Sequence, residues 1–416
     1  MDTATNQDVI VIGAGIIGIS IALKLQSQGR QVLVLDRKGV AAETSAGNAG
    51  AFAFADVIPL ATPGIMRKAP KWLIDPLGPL SLRPAYALKI LPWMLRFWRA
   101  SWQDKYQAAL AAQASLMDLS KAALERQINA VNGEAMIRRE GQLQLYEGEA
   151  EFSASLAGWQ TRQKHGVRYE LLLTPDAIAK RQPGIHPRFT HAVFTPEWKN
   201  VCDPAEWTQH LANEFEKLGG KIAIASIHSM TINKDSVTLK SDSADYEAHQ
   251  VVLAAGAWSK TLAQSIGDSL PLDTERGYNT TLPAGAFNLK THITFSNHGF
   301  VVTKIGEGVR VGGAVELGGL NLEPNYKRAD VLLNKAAEFL PGLKTEGGKQ
   351  WMGFRPSMPD SLPVIGYSNR SKRVIYAFGH GHLGLTQSAG TAELVAALAN
   401  NETPEIDLTP FSAARF

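Results

Sequence analysis

Apolar residues follow two rhythms along this chain. Val9-Ile10-Val11-Ile12, Val32-Leu33-Val34-Leu35, Val251-Val252-Leu253-Ala254 and Val374-Ile375-Tyr376-Ala377-Phe378 are short unbroken apolar runs, the pattern of strands buried on both faces of a parallel sheet. Between the first two, Ile16, Ile19, Ala22, Leu23 and Leu25 recur at helical spacing. Residues 107–131 contain neither Gly nor Pro and predict one long helix. Residues 142–146 read as a strand, 152–164 as a helix, and 205–218 as an amphipathic helix closed by Gly219-Gly220. A strand over 222–227 and a hairpin arm at Val237-Thr238-Leu239 follow. From about 271 to 347 the rhythm changes to short strands with turns, Gly299-Phe300-Val301-Val302-Thr303 and Val309-Arg310-Val311-Gly312-Gly313.

The first 36 residues form a complete strand, glycine loop, helix, strand and acid. Gly13, Gly15 and Gly18 stand in the G-x-G-x-x-G spacing, and Asp36 ends the second strand. The first glycine permits a tight turn, the second a close backbone approach to a pyrophosphate, the third close helix packing. The helix N-terminus then offers free N–H groups and positive potential to phosphates, and an acid at that place accepts hydrogen bonds from a ribose diol. The predicted fold class is α/β, with a discontinuous Rossmann-type nucleotide-binding domain made of 1–60, 195–272 and 348–416. An inserted α+β domain, built on a mostly antiparallel sheet, takes 61–194 and 273–347.

With 416 residues and 45% hydrophobic content, the chain has enough apolar mass for two domains. Its one cysteine, Cys202, excludes an internal disulfide framework and a multi-cysteine metal site, and reads as a passive buried thiol. No metal-ligand spacing appears, so no metal is expected. A net charge of +3 with scattered basic residues implies no nucleic-acid partner. No cleavable signal and no membrane-spanning apolar stretch is visible, and the expected location is cytoplasmic. One segment, 71–102, mixes Trp72, Trp93, Trp98 and Trp102 with Lys71, Arg83, Lys89, Arg96 and Arg99, and is punctuated by Pro76, Pro79, Pro84 and Pro92. Two readings stay open for it: a helical cap over a cavity, or a peripheral contact with the cytoplasmic face of an inner membrane.

A second dense signal lies near the C-terminus. Gly353-Phe354-Arg355-Pro356 and Pro363-Val364-Ile365-Gly366 precede the last apolar strand, and Gly379-His380-Gly381-His382-Leu383-Gly384 then opens a helix. Together with the opening cradle, Glu43-Thr44-Ser45-Ala46-Gly47-Asn48-Ala49-Gly50 and Leu253-Ala254-Ala255-Gly256-Ala257-Trp258, these segments resemble the FAD-dependent amino acid oxidoreductases. Within the D-amino acid oxidase and glycine oxidase superfamily, the chain is most similar to the small-subunit type of D-amino acid dehydrogenase.

The resemblance implies non-covalent FAD. Gly13, Ala14, Gly15, Ile16 and Gly18 are then expected at the pyrophosphate and Asp36 with Arg37 at the adenosine ribose. Thr44, Ser45, Asn48, Ala49 and Gly50 flank the pyrophosphate and flavin, Ile227 reaches the adenine, and Ala255, Gly256 and Trp258 return to the nucleotide. Gly381, His382, Leu383, Gly384, Leu385 and Thr386 border the flavin pyrimidine edge. Arg355 is expected to bind a substrate carboxylate, since guanidinium pairs with carboxylate in a bidentate way. Tyr278 is expected to add a hydroxyl to the substrate, or else to be a core tyrosine. His382 is expected on the cavity wall and His380 as a brace of the loop.

The implied reaction is oxidation of a D-amino acid or related secondary amino acid, with hydride passing from the α-carbon to flavin N5. The imino acid formed hydrolyses to a 2-oxo acid and ammonia. Such chemistry rests on orientation, with reacting atoms held about 3 to 3.5 Å apart. Electrons pass to a quinone or another acceptor. Oxygen, with hydrogen peroxide as product, is one alternative, and a non-catalytic flavin-binding subunit is another.

Overall fold

The computed structural model describes residues 6–65 and 80–416; Lys71, Trp72, Pro76 and Pro79 lie outside the described residues. Strand Asn6–Ile12 is the axis of the first sheet. Val32–Asp36 runs parallel to it on one side and Asp245–Leu253 on the other, so that Ile12 lies opposite both Leu35 and Leu253. Lys221–Ile224 and Val374–Phe378 extend the parallel set outward. Alternate residues take opposite faces, and both faces are covered. Val9, Val11, Val34 and Val252 pack with residues of helices Ile16–Ser27, Gln103–Ala130 and Gly384–Ala399. Ile10, Leu33, Leu35, Val251 and Leu253 pack with residues of strands Ile227–Ile232 and Val237–Ser241 and of helix Ser259–Ser265. The run over 222–227 is thus two strands: Lys221–Ile224 stays parallel, while Ile227–Ile232 joins an antiparallel meander.

The parallel strands end together, which brings distant turns side by side. Gly13 has φ +112°, and a Cβ there would stand 2.4 Å from the Ala254 carbonyl oxygen. A Cβ on Gly18 would stand 1.8 Å from the Gly13 carbonyl oxygen. Helix and loop therefore touch backbone to backbone.

The second sheet is mostly antiparallel and runs in the order Lys349–Ser357, Asp273–Leu282, Gly308–Leu317, Phe300–Ile305, His292–Phe295, Gln142–Tyr146, His191–Thr195, Glu170–Leu172. Helix Lys327–Phe339 backs it through Leu332, Ala336 and Phe339. Ala51–Phe52, Lys199–Val201 and Ile137–Arg138 form a small three-stranded antiparallel sheet with Lys199–Val201 at its centre.

Two segments sit elsewhere than the sequence division put them. Helix Gln103–Ala130 packs on the nucleotide-binding domain, with Leu116, Met117, Leu124 and Ile128 in the same cluster as Ile19, Leu394 and Val395. A glycine on the facing helix Gly384–Ala399 allows the approach: a Cβ on Gly390 would lie 2.4 Å from Ser120 Oγ. Strand Lys349–Ser357, expected in the nucleotide-binding domain, pairs along its length with Asp273–Leu282 in the second sheet. Strand alternation shows how a segment is buried and leaves its sheet unspecified. Cys202 is half-buried, with Sγ 3.9 Å from the Ala135 carbonyl.

Two buried histidines tie the fold to pH. His380 Nε2 lies 3.0 Å from Thr391 Oγ1, and His292 Nδ1 lies 3.3 Å from Asn200 Nδ2. Burial pushes the pKa of each down to about 3.

The backbone contact at Gly18 predicts that Gly18→Ala lowers stability by about 1–3 kcal/mol through overpacking, read as a lower urea midpoint; an unchanged midpoint would contradict the close approach. The histidines predict a pH effect of definite sign. Below about pH 6.5 they bind protons in the unfolded chain but not in the fold, so their stabilisation is complete above that value and declines as pH drops, by about 1.4 kcal/mol per pH unit for each. Urea midpoints measured from pH 6 to 5 should fall, and His380→Gln should flatten the slope by about one proton.

Candidate active site

A cavity of about 1120 Å³ runs between the two large sheets, from Asp36 and Ile227 at one end to Trp93 and Phe97 at the other. At the first end the cradle is already knitted together. Asp36 Oδ2 accepts from Ala14 N at 2.8 Å, and Oδ1 accepts from Lys38 N and Gly39 N. Asp36 thus fixes the first glycine turn while lining the cavity. Arg37 lies over the Trp258 ring at 3.9 Å and pairs with Glu43 at 2.5 Å, which makes a flat cationic rim.

The stretch 44–50 closes the cavity from above, and the second sheet holds it there. Ser45 Oγ accepts from Ile16 N at 2.9 Å, Asn48 Nδ2 donates to Ser45 O, and Gly50 N donates to Asn48 Oδ1. Thr44 Oγ1 donates to Phe354 O. From the strand Gly308–Leu317, Arg310 donates to the Asn48 carbonyl at 2.5 Å and to Thr281 Oγ1 at 2.8 Å. Burial lowers its pKa, yet an arginine stays charged. Asn279 Nδ2 donates to Gly47 O at 2.8 Å, and Trp351 stacks so close that a Cβ on Gly47 would meet its ring at 2.3 Å.

The reacting end is built on neighbouring strands. Arg355 and Glu275 are cross-strand partners, as are Gly353 and Gly277. A Cβ on Gly277 would lie 2.4 Å from Arg355 Nη2, so the guanidinium rests over a glycine floor. Arg355 Nη1 donates to the Ala314 carbonyl at 2.9 Å, and its pKa is lowered by burial. Its Nε and Nη2 donors make no hydrogen bond among the described residues. The loop carrying His380, Gly381 and His382 faces it, anchored by Gly381 N to Pro356 O at 2.7 Å. The His382 side chain is exposed to the cavity, and desolvation by the surrounding walls lowers the pKa of its imidazole. Beyond Arg355 the wall turns apolar, with Leu60, Leu80, Trp93, Met94, Phe97 and Leu317.

The expected site residues divide by position. Gly13, Gly15, Ile16, Asp36, Arg37, Thr44, Ser45, Asn48, Ala49, Ile227, Ala255, Gly256, Trp258, Arg355, Gly381, His382, Gly384 and Leu385 line the cavity. Ala14, Gly18, Gly50, Leu383 and Thr386 stand one layer behind it; Thr386 Oγ1, for example, accepts from Ala53 N at 2.9 Å. Tyr278 is a correction. Its backbone borders the cavity, but strand alternation turns its side chain to the opposite face, where its hydroxyl donates to Glu316 Oε1 at 2.9 Å and accepts from Asn325 N at 3.0 Å. Glu275, Asn279, Arg310 and Trp351 were not found by sequence reading. Period-two counting from Gly277 puts Glu275 and Asn279 on its face and Tyr278 on the other; Arg310 and Trp351 need the strand pairing.

The donors and shape fit FAD. Helices Ile16–Ser27 and Gly384–Ala399 both start at the cavity, and neither is capped by its own N-cap side chain; Ser45 Oγ takes the Ile16 N–H, and the remaining first-turn N–H groups present positive potential to an electron-rich ligand. The glycine cradle leaves room for backbone approach, and among the described residues no cluster could hold a metal ion.

Comparison with known proteins gives the same cofactor. The chain is 37% identical over 418 residues to a D-amino-acid oxidase of Bradyrhizobium diazoefficiens, spanning 98% of each. It is 31% identical to a D-amino acid dehydrogenase of Rhizobium johnstonii, spanning 98% of this chain and 99% of that one. The fold is that of the crystal structure of glycine oxidase from Geobacillus kaustophilus, with a TM-score of 0.79 at 20% identity over the full length of both. The FAD dependent oxidoreductase family matches residues 8–398. The chain therefore belongs to that family, and is an FAD-dependent oxidoreductase.

Proposed function

We propose that this enzyme oxidises D-amino acids, or related secondary amino acids, at the bond between the α-carbon and nitrogen. The carrying observation is Arg355, a half-buried cation in the cavity wall with open N–H donors, beside the Gly381–Leu385 stretch where the flavin edge is expected. Gly13, Gly15, Ile16, Ser45 and Asn48 would hold the pyrophosphate, Asp36 and Arg37 the ribose, and Ile227 the adenine. FAD supplies the acceptor for the two electrons that leave the substrate. The chain does the rest: Arg355 takes the carboxylate, the glycine floor lets it lie flat, neutral His382 adds no competing charge, and the apolar wall excludes water around the side chain. The imino acid product hydrolyses to a 2-oxo acid and ammonia.

The acceptor reading rests on the surface. In helix Ala87–Ala100, Ile90 and Trp93 are buried, while Leu88 is 86% exposed and Leu91, Leu95 and Trp98 are also exposed. Lys89, Arg96 and Arg99 interleave with them, although Arg99 is paired with Asp104. Trp98 and Trp102 meet edge to face at 5.7 Å. An aromatic and basic face on a helix whose inner side walls the cavity suits a lipid surface that carries a quinone. No helix among the described residues is long and apolar enough to cross a membrane. Oxygen as acceptor is the second reading, favoured by the oxidase named among the relatives.

Three outcomes follow. Arg355→Ala should raise the KM for amino acids about 100-fold, the loss of a bidentate charged pair worth about 3 kcal/mol, in anaerobic flavin bleaching; an unchanged KM removes Arg355 from the site. Replacing Leu91, Leu95 and Trp98 together with Gln should cut sedimentation with anionic vesicles at least about tenfold and spare turnover with a soluble dye. Peroxide released per amino acid consumed should be far below one; a yield near one supports the oxygen reading.

A further inference from the structure

Glu275 is a cavity residue that the fold explains poorly and the reaction explains well. It is 7% exposed and lines the cavity beside Arg355 and Leu317. It faces Arg355 directly across the antiparallel pair, a position where Cβ atoms stand about 5 Å apart. The two feel each other's charge but form no ion pair, because Arg355 Nη1 is drawn to the Ala314 carbonyl. Among the described residues the Glu275 carboxylate accepts no hydrogen bond. An unpartnered buried carboxylate is unfavourable, and its retention in a ligand cavity calls for a cationic partner from the ligand.

The groups around it leave that place open. His382, on the facing loop, is the other titratable neighbour, and desolvation lowers its pKa, so it brings no cation. Asp56, also in the cavity lining, acts electrostatically on His382. Asp273, two residues earlier on the same strand, accepts the hydroxyl of Tyr86 at 3.0 Å. Arg276, the next residue, points to the other face of the sheet toward Gly319 and Leu322. A fixed cation and a fixed anion side by side match the carboxylate and ammonium of one α-amino acid, which are carried on the same carbon.

We propose that Glu275 receives the substrate's α-ammonium group and takes its proton. This rests on the amino acid reading of the same cavity. In the step, one ammonium N–H bond breaks and an O–H bond forms on Glu275. The electron pair stays on nitrogen, where it assists departure of the α-hydrogen with its bonding pair. The proton on Glu275 returns to water as product leaves. Arg355 then fixes the carboxylate and Glu275 selects for a protonatable nitrogen, so simple carboxylic acids gain nothing from the second anchor.

The test uses the FAD-loaded enzyme and two ligands with the same carbon skeleton, 2-aminoisobutyrate, which has no α-hydrogen to lose, and isobutyrate, which has no nitrogen. By calorimetry, Glu275→Gln should weaken 2-aminoisobutyrate about tenfold or more, while isobutyrate binds as well or better. In anaerobic stopped flow with an oxidisable amino acid, Glu275→Gln should slow flavin reduction at neutral pH about tenfold or more. The rate should recover near pH 10, where solvent deprotonates the amine. Glu275→Asp should keep both the preference for the amine ligand and the wild-type pH profile. Equal weakening of both ligands, or a Glu275→Gln profile matching wild type, overturns the proposal while leaving amino acid oxidation standing. A wild-type flavin that no amino acid bleaches overturns both.

Discussion

The whole site depends on how the stretch 44–50 is gripped between the first helix and the second sheet. Its own side chains join it to the first helix through Ser45, and the second sheet reaches across to hold its carbonyls with Arg310 and Asn279. Gly47 under the Trp351 ring leaves no slack. Charged donors on backbone carbonyls, shielded from water, are stronger than the same contacts at a surface. The cavity walls are therefore set by a polar clamp, and the apolar cores only support it.

The strand Asp273–Leu282 shows how one element serves two purposes. Its inward face carries Glu275, Gly277 and Asn279, which shape the cavity. Its outward face carries Arg276 and Tyr278, joined to Glu316, with Arg276 fully buried and also donating to the carbonyls of Gly319 and Leu322. A slip of one residue would exchange the two sets. The buried network on the outer face thus locks the register that presents Glu275 beside Arg355.

Helix Ala87–Ala100 also has two faces. Trp93 stacks on Phe97 at 5.3 Å and donates to the Ser357 carbonyl, so the helix closes the apolar end of the cavity. Its leucines and Trp98 face outward. The two sequence readings of this segment, cap and surface contact, describe opposite sides of one helix, since a period of 3.6 residues lets both patterns coexist.

The sequence by itself determined the parallel strands, the glycine cradle, the long helix and the two helix N-termini that open on the cavity. Those features are written in local spacing: apolar runs, glycine positions and helical period are properties of neighbours along the chain. It also singled out Arg355 and the loop around His382, through resemblance to the FAD-dependent amino acid oxidoreductases. Only the tertiary structure decided that helix Gln103–Ala130 joins the nucleotide-binding domain, that Lys349–Ser357 leaves it, and that Tyr278 faces away. It alone brought Arg310 onto Asn48 and Glu275 next to Arg355. Those choices depend on which strands pair and in what register, and pairing joins residues far apart in the chain whose local patterns carry no record of one another.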